Sequence, residues 1–361
     1  MVKFDFVIDI DHYIRCMKLS FSTFALQLKY PFGIANNTRT QTPVVFVKID
    51  FENFTGYGEA SLPPYLKETQ DSVIHFLQKV DLSLFKNPLD IISILKYIDD
   101  LAPGNTAAKA ALDIALHDLI GKLLQKPWHQ LYNANIDKMP ETSLTIGIDR
   151  IEVVEQKTKE ANDFKVLKIK LGSANDKEIV SAIRGVSNTP ISVDINQGWK
   201  DKHFALEMID WLNTQNTLFI EQPMPKEMID DIAWLKEKSP LPIIADESIQ
   251  RFSDIDLVKD LYDGINIKLM KCTGMFEAYQ MIKYAKELGL KILIGCMNES
   301  SCANLAAAQL APFANWVDLD GPYLINNNPF EDPLLVVGKI RLNDNPGIGC
   351  ILKNEIDFRR F

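Results

Sequence analysis

Between residues 168 and 320 one short apolar run after another ends in charge: Lys168-Ile169-Lys170, then Asp194, Glu221, Asp246, Lys268, and Asp318-Leu319-Asp320. Asp194, Glu221 and Asp246 could each point oxygen at a common centre without any histidine or cysteine, the donor set of a hard divalent cation, and Mg2+ fits it best. Any one of these acids taken alone could instead cap a helix or pair with a lysine. Each is followed by amide or turn-forming residues, as in Asp194-Ile195-Asn196, Glu221-Gln222-Pro223 and Asp246-Glu247-Ser248, which are suited to orienting metal ligands. In an extended strand residues two apart face one side, so Lys168 and Lys170 look the same way. Crowding two ammonium groups should lower the pKa of one and make it a better base. Lys268 comes from a later run and would face them, giving one base on each side of a substrate. Asp318 and Asp320 would repel a dianion and pair with an ammonium group, so the substrate is expected to carry a free amine. The alternative is that they pair with Lys268 or cap the next turn.

The elements that must hold these groups alternate. Val166 to Lys170, Ile191 to Asp194, Leu218 to Glu221, Pro242 to Asp246 and Ile265 to Lys268 read as strands. Lys177 to Val186, Phe204 to Leu212, Met228 to Glu237 and Met275 to Leu288 carry apolar residues at helical spacing. Strand and helix recur about every 25 residues, the step of a parallel (β/α) barrel, whose active site lies at the C-terminal mouth of the strands. Charges at successive strand ends would then converge, and Lys268, four strands beyond Lys170, would lie on the opposite wall.

Before the barrel, Met17 to about Ala60 has the texture of strands, with Thr42 to Phe51 the strongest, and Gly56-Tyr57-Gly58-Glu59-Ala60 reads as a tight turn shaping a wall of the pocket. No Lys-Ser or Lys-Thr follows that turn, which argues against a phosphate loop. Three helices are expected over Lys67 to Val80, Leu89 to Leu101 and Thr106 to Leu124, the last so rich in alanine that it must pack closely. After Asp320 the alternation stops, and strand-like Leu334 to Val337 and Lys339 to Leu342 are expected to run back to the amino-terminal domain. The chain therefore divides into an α+β capping domain over residues 1–125, a barrel over 126–320 and a returning segment over 321–361.

The 361 residues are 47% hydrophobic, enough for two cores, and carry a net charge of -9 without any dense basic tract, which argues against nucleic acid as a partner. The five cysteines are scattered without a C-x-x-C pair, as in reduced cytosolic proteins. No apolar run approaches a membrane span, and the amino terminus lacks a secretion signal, so neither a membrane nor export is expected and the cytoplasm is the expected location. The first 16 residues read either as a start-site extension or as an edge strand, and assembly into a homo-oligomer is left open.

These residues carry a resemblance that spans nearly the whole chain. The Lys168-x-Lys170 pair, the Asp194, Glu221, Asp246 series, Lys268 after Ile267 and the helix from Ala107 to Leu119 resemble the muconate-lactonising branch of the enolase superfamily. The resemblance implies an α/β fold, a modified (β/α) TIM-like barrel with an α+β cap, with one essential Mg2+ per subunit. It also implies abstraction of the proton α to a metal-bound carboxylate, chemistry for which this superfamily is a standard example. An amine cannot remove so weakly acidic a proton unless a cation holds the enediolate charge. The Asp318-x-Asp320 motif resembles that of the dipeptide epimerases, in which such aspartates hold the amino terminus of a dipeptide substrate. The reading is an isomerase that inverts the C-terminal residue of L-Ala-X dipeptides by two-lysine 1,1-proton transfer, with catalytic Lys170, Lys268 and Lys168. An N-acylamino acid racemase, an o-succinylbenzoate synthase or a cycloisomerase would use the same groups. Gly295 to Ser300, with Met297, resembles the family's pocket lining. The cap loop Tyr30 to Asn37 would close over the substrate, where Phe32 and Ile34 favour a hydrophobic X while Lys29 and Arg39 flank it.

Overall fold

The computed structural model describes residues 16–34 and 37–360, with the side chains of residues 32–38 outside that description. The expectations placed on Phe32 and Ile34, and on the segment before Cys16, therefore lie outside the described residues.

The cap opens with an antiparallel sheet of β1 (Lys18–Ile34), β2 (Asn37–Phe51) and β3 (Phe54–Ser61). Val44, Val45, Phe46 and Val47 of β2 are all fully buried, because both sheet faces are covered. On one lies α3 (Thr106–Leu123). On the other, Phe330 of the C-terminal segment packs its ring 5.5 Å from Phe46 and 5.7 Å from Tyr57. Residues 56–60 are strand rather than the expected tight turn. The glycines serve helix packing instead: a Cβ on Gly58 would lie 1.9 Å from the carbonyl oxygen of Ala111, and one on Gly56 2.1 Å from that of Ala115. Small residues on both partners let helix and strand backbones touch. The first helix is shorter than expected, α1 (Gln70–Leu77), because Thr69 caps it and Lys67 adopts a left-handed φ of 60° after the short helical turn Pro64–Leu66. It is followed by α2 (Ile91–Asp100) and, after α3, a one-turn α4 (Trp128–Leu131).

The barrel is eight parallel strands in sequence order: β4 (Ser143–Ile146), β5 (Val166–Lys170), β6 (Ile191–Asp194), β7 (Thr217–Glu221), β8 (Ile243–Ala245), β9 (Gly264–Lys268), β10 (Lys291–Gly295) and β11 (Trp316–Asp318). The intervening helices are α5 (Ile151–Glu160), α6 (Asp176–Val186), α7 (Lys202–Asn213), α8 (Ile229–Lys238), the short α9 (Ile255–Val258) and α10 (Met275–Glu287), with α11 (Ser301–Ala308) before the last strand. A Thr142–Val317 bridge closes the ring. Phe219, Ile244 and Leu293, with Trp316 packed 4.7 Å from Phe219, form a separate apolar cluster on β7, β8, β10 and β11, so the barrel has a packed interior rather than a pore.

The cap is docked on the barrel by buried carboxylates at helix starts, where unpaired amide groups and the helix dipole favour negative charge. Glu59 accepts from the Ser300 amide at 2.9 Å, the Ser300 hydroxyl at 2.6 Å and the Ala303 amide at 3.2 Å at the head of α11. Asp113 of α3 accepts from the Met275 and Phe276 amides at the head of α10. The C-terminal segment returns to the cap through bridges from Leu28 to Ile325 and from Phe21 to Arg359, and carries a short helical turn at Gly321–Leu324 and the hairpin β12 (Leu334–Val336) and β13 (Lys339–Arg341).

Candidate active site

Asp194 and Glu221 end β6 and β7, and Asp246 follows β8, so three adjacent strands aim three carboxylates at one point. One oxygen from each lies within 4.8 Å of the others, and the residues are 0%, 0% and 2% exposed. The group contains oxygen donors alone, which fits a hard divalent cation and leaves coordination positions for water or substrate. Asn266 of β9 donates to Glu221 at 2.7 Å and fixes that carboxylate.

The lysines ring this cluster. Lys170 donates to Asp194 at 2.6 Å and to the side-chain oxygen of Asn196 at 3.1 Å. Lys268, on the opposite side of the ring, donates to Asp246 at 2.7 Å. The cluster thus lies between two ammonium groups four strands apart, as the strand spacing predicts. Lys168 differs from expectation. Its ammonium lies 3.1 Å from Asp194, 2.7 Å from Glu221 and 2.8 Å from Asp318. Burial works against its charge, but Asp318, Glu221 and Asp194 outweigh burial and hold its pKa well above the ordinary lysine range. The crowding of two ammonium groups that should have made one of them a better base therefore does not govern Lys168, because carboxylates separate it from Lys170.

The acids respond in kind. Burial alone would raise Asp194, yet Lys170 and Lys168 bring it to about 2, and burial of Asp246 is likewise overcome by Lys268 and Lys271. Glu221, buried and next to Asp194, is pushed up to about 7. Lys271 went unnoticed in the sequence. It lies three residues after Lys268, off the two-residue strand period, but a helical turn after β9 folds it back. It then donates to the Asp246 carboxylate at 2.6 Å, the Asp246 carbonyl at 2.7 Å and the Asn266 carbonyl at 3.0 Å.

Asp318 and Asp320 have different partners. Asp318 is bound to Lys168 and accepts from the Ser143 hydroxyl at 2.7 Å, so the sequence alternative of pairing with Lys268 is replaced by pairing with Lys168. Asp320 accepts from the Thr145 amide at 2.6 Å, and no cation among the described residues forms an ion pair with it. Burial and the neighbouring Asp318 push it up to about 7. Met297, 6% exposed, accepts at its sulfur from the Tyr65 hydroxyl at 2.8 Å. Tyr65 as a residue is 43% exposed, but its hydroxyl meets the buried Met297 sulfur, in the field of Lys268, Asp246 and Glu299. Glu299, buried with Glu59 nearby, is pushed up to about 8. The structure thus gathers Lys168, Lys170, Lys268, Asp194, Glu221, Asp246, Asp318, Asp320 and Met297 at one mouth. The residues that sequence reasoning missed, Lys271, Asn266, Ser143, Thr145 and Tyr65, are neutral or off the strand period, so no charge at a strand end marks them.

Residues 151–356 match the family model described as enolase C-terminal domain-like, and residues 18–132 match that of the mandelate racemase/muconate lactonizing enzyme N-terminal domain. An L-Ala-D/L-Glu epimerase from Bacteroides thetaiotaomicron is 54% identical over 93% of this chain and 88% of its own. Among solved structures, an N-succinyl Arg/Lys racemase from Bacillus cereus aligns with a TM-score of 0.87 at 29% identity, covering 94% of this chain and 95% of the other. A dipeptide epimerase from Enterococcus faecalis, complexed with Mg and the dipeptide L-Leu-L-Tyr, aligns with a TM-score of 0.85 at 29% identity, covering 93% and 99%. With both domains matched and the acid and lysine ring in place, the chain belongs to the mandelate racemase/muconate lactonizing enzyme family of the enolase superfamily.

Proposed function

We propose that this chain is a magnesium-dependent dipeptide epimerase that inverts the α-carbon of the C-terminal residue of L-Ala-X dipeptides. The observation that carries the reading is the pair of opposed ammonium groups, Lys170 and Lys268, on either side of the Asp194, Glu221 and Asp246 cluster, with an acid beyond them, Asp320, that has no cation partner among the described residues. Mg2+ held by those three acids would supply fixed positive charge where the substrate carboxylate becomes more negative as its α-proton leaves.

The chain's own residues do the rest. One of Lys170 and Lys268, as the neutral amine, takes the α-proton onto Nζ, and the other, as ammonium, gives a proton from Nζ to the opposite face of the same carbon. The next turnover in the same direction requires both to exchange protons with solvent. Lys168 stays charged among Asp318, Glu221 and Asp194 and offsets negative charge at the mouth. Asp320 is free to take the substrate ammonium, so the dipeptide would span the pocket with a charge at each end. For X, the name of the 54% identical relative favours glutamate and the Enterococcus structure an apolar side chain; Arg39, which flanks the cap loop in sequence, makes glutamate the first to try. Five free cysteines fit work in the cytoplasm, and no helix among the described residues is long and apolar enough to cross a membrane.

Proton NMR in deuterium oxide, with Mg2+ and a panel of L,L-dipeptides including L-Ala-L-Glu and L-Leu-L-Tyr, tests the reading. Loss of the α-proton signal at the C-terminal residue, absent for N-acetyl forms, is the expected outcome. Exchange confined to N-succinylamino acids would instead place the chain with the racemase relative.

A further inference from the structure

The two lysines are not held alike. Lys268 rests on Asp246, whose other oxygen is bound by Lys271, so a ligand carboxylate itself orients that base. Lys170 has a second partner outside the acid cluster. The Asn196 side-chain oxygen accepts from Lys170 at 3.1 Å, while its amide nitrogen donates to Glu247 at 3.2 Å. Glu247 is largely enclosed, and its other oxygen has no hydrogen-bond partner among the described residues. Its one such contact there is with Asn196, which holds the Asn196 amide with its oxygen, not its nitrogen, toward Lys170.

The backbone is built for this. Asn196 and Gln197 both adopt left-handed φ, 45° and 66°. The turn is pinned on both sides: Ile195 donates to the Glu221 carbonyl at 3.0 Å, Gln197 to the Gln222 carbonyl at 2.9 Å, and the Asn196 amide to the Asp194 carboxylate at 3.0 Å. A non-glycine backbone in that region persists only where its surroundings over-determine it, and such residues gather at functional sites.

We infer that Asn196, oriented by Glu247, is a positioning residue for Lys170 alone, so that its loss impairs proton transfer on one face of the substrate and spares the other. Lys170 would otherwise swing on Asp194 as a single pivot, and a displacement of about 1 Å in a catalytic group can lower a rate about a hundredfold. Glu247 also lies in the field of Lys268, so Asn196 is the cleaner site to perturb.

This inference rests on the two-lysine reading, and the experiment separates the two. Initial α-deuterium incorporation is followed separately from each epimer of the best dipeptide, for the wild type and for Lys170→Ala, Lys268→Ala, Asn196→Gly, Glu247→Ala and Glu247→Gln. Glycine keeps the left-handed turn without the side chain. Lys170→Ala and Lys268→Ala identify which epimer each lysine serves. Asn196→Gly and Glu247→Ala should lose about ten- to a hundredfold in exchange from the epimer that Lys170 serves and less than about threefold from the other. Glu247→Gln, which keeps an acceptor oxygen for Asn196, should stay within about threefold of wild type on both. Calorimetric titration with Mg2+ should give all three variants the wild-type affinity. Equal losses on both epimers, a loss on the Lys268 side, or a loss that tracks weakened Mg2+ binding would overturn the positioning role. If Asn196→Gly does not fold, the comparison of Glu247→Ala with Glu247→Gln decides. A wild type that exchanges no dipeptide α-proton would sink the two-lysine reading and this inference with it.

Discussion

Replacing Asp320 by asparagine removes one negative charge and little else, which makes it the sharpest probe of ammonium recognition. In the native site one oxygen accepts from the Thr145 amide at 2.6 Å. Asparagine must give its single oxygen to that amide, so its NH2 group replaces the oxygen that accepts from the Cys296 thiol at 3.8 Å and presents donors to a substrate ammonium that can only donate. The variant therefore loses attraction and gains an unfavourable contact. Two unit charges about 4 Å apart attract by about 4 kcal/mol at an effective dielectric constant of about 20. Truncating one member of a buried charge pair costs about 2–5 kcal/mol in binding. Taking about 3 kcal/mol as the central figure and about 1.4 kcal/mol per tenfold, kcat/KM for L-Ala-L-Glu should fall about a hundredfold or somewhat more at pH 8, where Asp320 is ionised in the native enzyme. The loss should appear mainly in KM, because the ammonium lies far from the carbon that changes hands. The assay is α-proton exchange by NMR over a range of dipeptide concentrations, beside a chain-length-matched substrate in which a neutral acetamide replaces the ammonium. The native enzyme should discriminate strongly between the two and the variant hardly at all. A fall of less than about threefold, or an equal fall for both substrates, would refute the assignment of the ammonium to Asp320.

The pH profile should follow the same group: the Asp320 carboxyl, raised to about 7, is anionic above that value and neutral below it, so kcat/KM for dipeptides should decline more steeply as pH falls through about 7 than for analogues without the ammonium, which keep only the limb set by Glu221 and the lysine base. Lys271→Met should destabilise the fold by about 3–5 kcal/mol in urea titrations, since it leaves one oxygen of the buried Asp246 carboxylate and the Asp246 and Asn266 carbonyls without this donor, Lys268 holding only the other oxygen; a change under about 1 kcal/mol would mean that water replaces it. Gly58→Ala should lower the thermal midpoint by several degrees or abolish folding, because its Cβ would sit 1.9 Å from the Ala111 carbonyl oxygen, whereas Gly185→Ala, with open space around its Cβ, should not.

Much of the site was legible before any coordinate, for a geometric reason. A parallel barrel turns sequence order into angular order, so residues that end consecutive strands must meet at one mouth, and Lys170 on β5 must face Lys268 on β9. The acid series Asp194, Glu221 and Asp246 could be read in the same way, as could the alanines of α3, whose close approach explains Gly56 and Gly58. Misreading those glycines as a turn was natural, because a chain cannot distinguish a glycine that permits unusual φ from one that makes room for another backbone.

The amino-acid sequence by itself determined which residue types arrive at the mouth and in what order around it, because strand periodicity and a fixed topology leave little choice. Tertiary structure decided the pairings. Lys168 is ion-paired rather than merely crowded by Lys170 because Glu221 and Asp318 reach it from β7 and β11, each two strands away round the ring, an approach set by barrel closure through Thr142 and Val317. It also separated Asp318, bound to Lys168, from Asp320, bound to a backbone amide, although the two stand two residues apart. Lys271 entered the site by a turn, Tyr65 by domain docking, and Asn266 and Thr145 as uncharged residues of β9 and β4, through contacts whose energies depend on distance through space, a quantity that spacing along the chain does not encode.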